Sequence, residues 1–272
     1  MSGDKVSQMS LRYIAGYSLL LFSSLVRRVL NQFYLLVSLT EQFAVIVWTP
    51  REIERYSRTY WNSREQVRNY AMLDDWLCAT EQALVERYFL KDGELLNAAC
   101  GAGREALLLS RRGMKVTACD WSPRMIAEAQ RRAREANVPV RFAVADLYDL
   151  PYPEKAFDCL FLTNNAYSYV CPRRRRIRFL KQAYSILRPG GVFIMSFAPA
   201  VGSFPGKGIS QWLFMRLKRS ALFNRDYEPG DHFRYSFTHF FQPEELRQEF
   251  DEAKFLVKEW LWDQQYAVLA KE

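Results

Sequence analysis

The turn Gly101-Ala102-Gly103 is followed 17 residues later by Asp120, and these residues together could perform a definite piece of chemistry. Glycine has no Cβ, so the turn can take φ > 0 and bring its backbone N–H groups close to a ligand. A carboxylate at the tip of the next strand is placed to accept protons from the two hydroxyls of a ribose. The surrounding pattern agrees. Residues 95–100 (LLNAAC) are a short apolar run, and after the turn Ala106, Leu107, Leu108 and Leu109 continue at helical density, which predicts strand, turn and helix. Gly113 ends that helix, and residues 115–119 form a second β-rich run that delivers Asp120. Residues 140–145 predict a third strand ending at Asp146-Leu147, where the carboxylate could accept from an adenine amino group while the Leu147 N–H serves a ring nitrogen. Residues 157–163 predict a fourth strand, ending in Asn164-Asn165-Ala166-Tyr167 at the sheet edge where open α/β folds place their chemistry.

Other elements must hold these tips in position. Leu73, Trp76, Leu77, Ala83, Leu84 and Tyr88 recur at helical spacing, predicting one helix over 71–89 beside the first strand. Ser122-Pro123 reads as an N-cap with proline in the first turn. Residues 173–187 predict a helix, 187–191 (LRPGG) a turn and 192–197 a fifth strand; a helix over 243–253 and strands over 255–262 and 266–270 complete the pattern. The expected fold is α/β, a doubly wound and mostly parallel seven-stranded sheet with helices on both faces. An apolar helical extension (residues 1–50) precedes the main domain (51–272), which carries a cap insertion at about 198–242.

With NAACGAG (97–103), Asp120, Ala145-Asp146, FDCLFLTNNAYSYV (157–170) and LRPGG (187–191) in that order, the chain resembles the class I, Rossmann-like S-adenosylmethionine-dependent methyltransferases. The resemblance is close over about 70–200 and looser over 240–272. It implies S-adenosyl-L-methionine as cofactor, bound by Asn97, Ala99, Cys100, Gly101, Gly103, Asp120, Asp146 and Leu147, with Trp121 and Met125 as neighbours of the adenine. It also implies a tyrosine laid over the cofactor from the preceding segment, for which Tyr60 is the candidate. The reacting methyl group would lie near the Asn164 loop, where Asn164 and Tyr167 face donor and acceptor. Two positions depart from the family pattern: Asn97 stands where an acid is usual and Ala99 where a glycine is usual. These departures keep open a noncatalytic cofactor-binding or scaffolding protein of the same fold.

Methyl transfer from a sulfonium needs orientation and desolvation, and a general base only when the acceptor must first lose a proton. Of the two histidines, His232 beside Asp231 is the better base candidate. The five cysteines are scattered singly with no CxxC pair, which argues against a zinc site or disulfide framework and for a reducing, cytoplasmic setting. Despite a net charge of +8 and the run Arg173 to Arg176, no nucleic-acid module is visible, and charge runs are usually solvated faces. The cap alternates Trp212, Phe214 and Leu217 with Arg216 and Lys218, which favours a small apolar or amphiphilic acceptor. Residues 11–48 are mostly apolar, with Arg12, Gly16, Ser23, Arg27, Asn31, Ser38 and Gln42 gathered in one polar stripe. That pattern fits a helix on a membrane surface, a helix packed over the active site or across a homodimer, or a membrane span.

Overall fold

The computed structural model describes residues 3–73, 76–200, 212, 224–233 and 235–272, with the backbone alone at 3–17 and 35. Most of the cap insertion, including its basic and aromatic alternation apart from Trp212, lies outside the described residues.

Strands β1 (Glu94–Ala98), β2 (Lys115–Asp120), β3 (Arg141–Val144), β4 (Phe157–Leu162) and β5 (Leu187–Ser196) run parallel. A separate antiparallel hairpin follows, β6 (Asp231–Phe233) with β7 (Phe237–His239). Then β8 (Leu256–Leu261) and β9 (Tyr266–Ala270) complete the main sheet in the order β3-β2-β1-β4-β5-β9-β8, β9 lying antiparallel to both neighbours. The central strands are short apolar runs because both of their faces are covered. Alternate residues point to opposite sides. Leu96, Leu160, Leu162 and Phe193 pack against Phe179 and Leu180 of α7 (Arg173–Ile186) and Phe250 of α8 (Pro243–Glu252). Leu95, Val116, Ala118 and Phe161 pack against α4 (Ala79–Tyr88), α5 (Arg104–Arg111) and α6 (Pro123–Glu135). The strand order reverses between β1 and β4, so the carboxyl ends of these two strands leave a crevice, the place where such sheets bind ligands.

Two local expectations are corrected. The helix expected over 71–89 forms only over its second part, as α4; α3 (Arg64–Ala71) ends where it was expected to begin. α4 starts only at Ala79 because Cys78 and Glu81 form a capping box, the thiol accepting from Glu81 N and the Glu81 carboxylate accepting from Cys78 N. The LRPGG segment is extended backbone at the start of β5, with Gly190 at φ +76 donating its N–H to the Lys271 carbonyl at 2.8 Å. It pairs with the sheet where a turn was expected.

Gly103 is the N-cap of α5, at φ +87, and a Cβ built on it would lie 3.0 Å from the Ala129 Cβ of α6. Its role is to let α5 and α6 approach. Gly103→Ala combines a left-handed alanine with a helix contact too short to keep, and should lower unfolding free energy by about 1–3 kcal/mol, read by chemical denaturation.

The extension is one long helix, α1 (Gly3–Val47). Thr49 then caps α2 (Pro50–Trp61) through a capping box with Glu52, Pro50 taking the first turn. The last turns of α1 are part of the folded body: Val45, Ile46 and Ile53 form a small core with Tyr227, Phe233 and Phe237 around the hairpin. Asn224 ties the two segments by backbone and side-chain bonds to Ile46 and Val45 carbonyls at 2.7 and 3.3 Å.

The arginine run is only in part a solvated face: Arg174 is exposed, Arg173 and Arg175 are half-buried and Arg176 is buried. Arg173 pairs with Glu252, Arg174 with Asp226 and Arg175 with Glu54. Arg176 is fully buried among Glu228, Glu245 and Glu249. Each cation therefore holds α7 to α8, to the cap or to α2.

Candidate active site

β1 ends at the turn where Ala99, Gly101 and Gly103 take φ of 49, 52 and 87. Ala99 thus adopts a conformation glycine would adopt freely, so the turn keeps its shape without the usual glycine, at a cost of about 1 kcal/mol. The neighbouring strand presents Asp120 to this turn. Its carboxylate accepts from Gly101 N at 3.0 Å and Ser122 N at 2.8 Å. Burial raises its pKa to about 6, and those two N–H bonds limit the rise. Gly101 also lies close under Tyr70, whose ring carbon would stand 3.3 Å from an added Cβ, so the glycine keeps the floor of the crevice low.

The crevice has a cavity volume of about 120 Å³. Of the residues singled out from sequence, Ala99, Cys100, Gly101, Asp120, Trp121, Met125, Asp146, Leu147 and Asn164 line it. Asn164 and Asn165 both sit at left-handed φ, 53 and 56, a conformation asparagine tolerates better than most residues. That double turn at the end of β4 brings Asn164 to the crevice wall. Asp146 accepts from Tyr148 N at 3.1 Å and is ion-paired with Arg58 of α2, whose guanidinium lies 5.0 Å from the Trp121 ring centroid. α2 is therefore clasped to the nucleoside side of the crevice.

Five expectations are corrected. Tyr167 points the other way: it is wholly buried, stacked on Phe241 and hydrogen-bonded to Glu249, because the 3-10 turn Ala166–Tyr169 rotates it into the core. His232 lies on β6, paired with Gln42 of α1, and does not line the crevice. Tyr60 also stays out, while the next residue, Trp61, lines it, since neighbours on a helix point about 100° apart. Asn97 is buried beneath the turn, donating to the Phe161 carbonyl at 3.3 Å, with its Oδ1 left without a partner. Gly103 serves helix packing, as described above.

Several lining residues carried no sequence signal. Trp61, Tyr70, Tyr148, Tyr169 and Val170 form an aromatic and apolar wall, with Trp61 packed 5.2 Å from Tyr169 and 5.8 Å from Tyr70 between ring centroids. Glu105, in the first turn of α5, is buried at the crevice edge. Its Oε1 accepts from Thr163 Oγ1 at 2.5 Å, Asn164 Nδ2 at 3.1 Å and Arg104, which also reaches Glu81. An acid two residues past the glycine turn was visible in the sequence, but its helix position could equally have faced solvent.

The crevice suits a nucleoside with a charged tail. Two carboxylates, Asp120 and Asp146, line it, and Arg104 and Glu105 add charges of both signs.

Comparison with known proteins agrees with this arrangement. A family described as "Methyltransferase domain" matches residues 95–191. The demethylmenaquinone methyltransferase of Thermus thermophilus is 33% identical over 108 residues, 39% of this chain and 47% of that protein. The protein named "Putative methyltransferase YqeM" of Bacillus subtilis is 25% identical over 130 residues, 48% of this chain and 50% of that protein. The chain thus spans about half the length of the relatives it matches. A solved SAM-dependent methyltransferase from Methanosarcina mazei superposes with a TM-score of 0.55 at 19% identity, covering 73% of this chain and 99% of that one, a likeness of fold. Strand order, glycine turn and Asp120 crevice together are those of the class I, S-adenosylmethionine-dependent methyltransferase fold, and residues 95–191 match its methyltransferase domain.

Proposed function

We propose that this chain transfers a methyl group to a small apolar or amphiphilic acceptor. The observation that carries the reading is the wall of Trp61, Tyr70, Tyr148, Tyr169 and Val170 in the same crevice as Asp120. An acceptor entering beside that wall meets rings and aliphatic surface, which reward apolar area and exclude water. The similarity to a demethylmenaquinone methyltransferase supports the same acceptor class.

S-adenosylmethionine, when bound, supplies a methyl group on a sulfonium that departs as a neutral thioether. The residues of this chain would bind and orient: Asp120 takes the ribose hydroxyls, Asp146 and Leu147 N–H meet the base, and Glu105 faces the ammonium of the amino-acid tail. Burial pushes the Cys100 thiol and the Tyr70 and Tyr169 phenols upward, and Tyr148 to about 12. None of them gives up a proton near neutrality. With Asp120, Asp146 and Glu105 committed to the cofactor in this reading, the crevice contributes alignment and desolvation, and the acceptor brings a nucleophile that is already competent, such as an acidic enol or hydroquinone oxygen or carbon.

Glu105→Gln should weaken S-adenosylhomocysteine binding about tenfold by loss of one charge-assisted bond, and leave methylthioadenosine, which lacks the amino-acid tail, unchanged in calorimetry. An equal loss for both ligands would place Glu105 in the scaffold alone.

The functional test is incubation with an isotopically labelled methyl donor and fractionated extract, parent against Asp120→Ala. Label should enter lipid-extractable or quinone-like acceptors with the parent only. Transfer confined to soluble polar metabolites would overturn the acceptor class.

A further inference from the structure

We propose that α1 between Leu19 and Val37 is an in-plane anchor for a lipid surface carrying anionic headgroups. Ser18–Val47 is long and apolar enough to cross a membrane, with a mean hydropathy of 1.3. Its last third is already used: Ser38, Gln42, Val45 and Ile46 are buried against the body of the protein. The stretch left for lipid is therefore 18–37, about 30 Å of helix at 1.5 Å per residue, with Arg27 and Arg28 at its middle. A span would put both guanidinium groups at the hydrocarbon centre, where charge is most costly.

Lying in the surface plane avoids that. At 100° per residue, Leu19, Phe22, Val26, Val29, Phe33 and Leu36 share one face, and Arg27, Arg28, Ser24 and Asn31 lie opposite, interspersed with the exposed Leu20 and Leu21. The apolar face is bare: Leu19, Phe22, Phe33 and Leu36 are 69, 65, 64 and 60% exposed. With a net charge of +8, the flanking arginines can meet anionic headgroups while the face sinks between acyl chains.

A second copy of the chain is the competing occupant, since the same six residues also fit a heptad seam. Two-stranded coils fix their partner through charges at the positions flanking the seam. Here those positions are Ser18, Leu25 and Gln32 on one side and Ser23, Leu30 and Val37 on the other, with no charge among them. Leu25, Leu30 and Val37 are 58, 60 and 51% exposed and widen the apolar face beyond a seam, to the breadth a lipid surface accommodates. The proposal stands on α1 and does not depend on the methyl acceptor.

The test is co-sedimentation of the full chain with vesicles of phosphatidylcholine alone and of phosphatidylcholine mixed with phosphatidylglycerol. Binding should favour the mixed vesicles. Phe22→Glu with Phe33→Glu should lower partitioning about a hundredfold or more, and Arg27→Gln with Arg28→Gln should erase the preference for anionic lipid, a loss of roughly 20- to 30-fold. These side chains are exposed, so both variants should keep the parent's circular dichroism and S-adenosylhomocysteine affinity. Failure to bind either vesicle would overturn the proposal. So would retention in membranes after an alkaline wash, the mark of a span, or a soluble dimer that Phe22→Glu with Phe33→Glu converts to monomer.

Discussion

Asp120→Ala will lower affinity for S-adenosylhomocysteine by roughly two to four orders of magnitude. Two ribose hydroxyls lose a charged acceptor in a buried site, each bond being worth about 1.5–3 kcal/mol, and every 1.4 kcal/mol is about a factor of ten. The pH dependence follows from the same carboxylate. Burial raises the Asp120 pKa to about 6, so in the free protein acid conditions fill the lone pairs that the hydroxyls need. Affinity should be flat above neutrality and fall as pH drops through about 6. Asp120→Asn keeps the shape, removes the charge and should bind weakly without that pH step. Stability of the free protein runs the opposite way. A carboxylate raised by burial is a cost when ionised, so the parent loses stability as pH rises from about 4 to about 6, and Asp120→Asn should lack that loss. Isothermal titration for affinity and thermal melting for stability, each across pH 5–8, separate the two effects. A parent affinity with no step near pH 6 would remove Asp120 from the binding surface.

The second large effect concerns stability. Arg176 is fully buried between α7, α8 and the cap, donating to Glu228 at 2.7 Å and to Glu249 at 2.8 Å, with Glu245 at 3.4 Å. Arg176→Met strands carboxylates in the interior and should cost about 3–5 kcal/mol of unfolding free energy, measured by denaturant titration. Combining it with Glu249→Met should recover part of the loss, because a buried ion pair replaced whole is far cheaper than one broken in half. A single-variant loss below about 1 kcal/mol would contradict the buried cluster.

The same cluster sets an alkaline limit. His239 Nδ1 is 2.7 Å from Asp231 and Nε2 2.8 Å from Glu245. Burial and the Arg176 charge push its pKa down, while the bonds to Asp231 and Glu245 push it up by more, to about 9. Both ring nitrogens are thus donors in the ionic state. Glu228, Asp231 and His239 bring ligand-type atoms within 4.8 Å of one another. A raised histidine contributes stability that is whole below its ordinary 6.5 and lost as pH rises through about 9. The melting temperature of the parent should fall across that window, and His239→Gln should flatten the fall.

These clusters mark the limit of what local pattern conveys. Seven strands and their order of appearance were legible, because each is an apolar run bounded by a glycine turn, an acid or an asparagine pair. The Asp120 position was legible for the same reason: chain geometry places a residue at a strand tip whatever its partners do. Tyr167 was misread since a single 3-10 turn after β4 reverses which side chains face out, and no periodicity survives over four residues. Tyr60 failed on direction, one residue from the lining Trp61, and His232 on position, since β6 holds it against Gln42 of α1. Arg176 looked like part of a solvated face because its carboxylate partners Glu228 and Glu249 lie 52 and 73 residues away along the chain.

What the sequence by itself determined is the scaffold of the nucleotide crevice, the turn at Gly101 and the acid at Asp120, all consequences of local backbone rules and strand periodicity. Only the tertiary structure decided that Trp61, Tyr70 and Tyr169 wall the crevice, that Glu105 turns inward and that Arg176 is swallowed by acids. Those outcomes depend on which surfaces meet when the sheet, the cap and α2 pack together. Packing joins residues far apart in the chain through shape and charge, and no local spacing encodes that meeting.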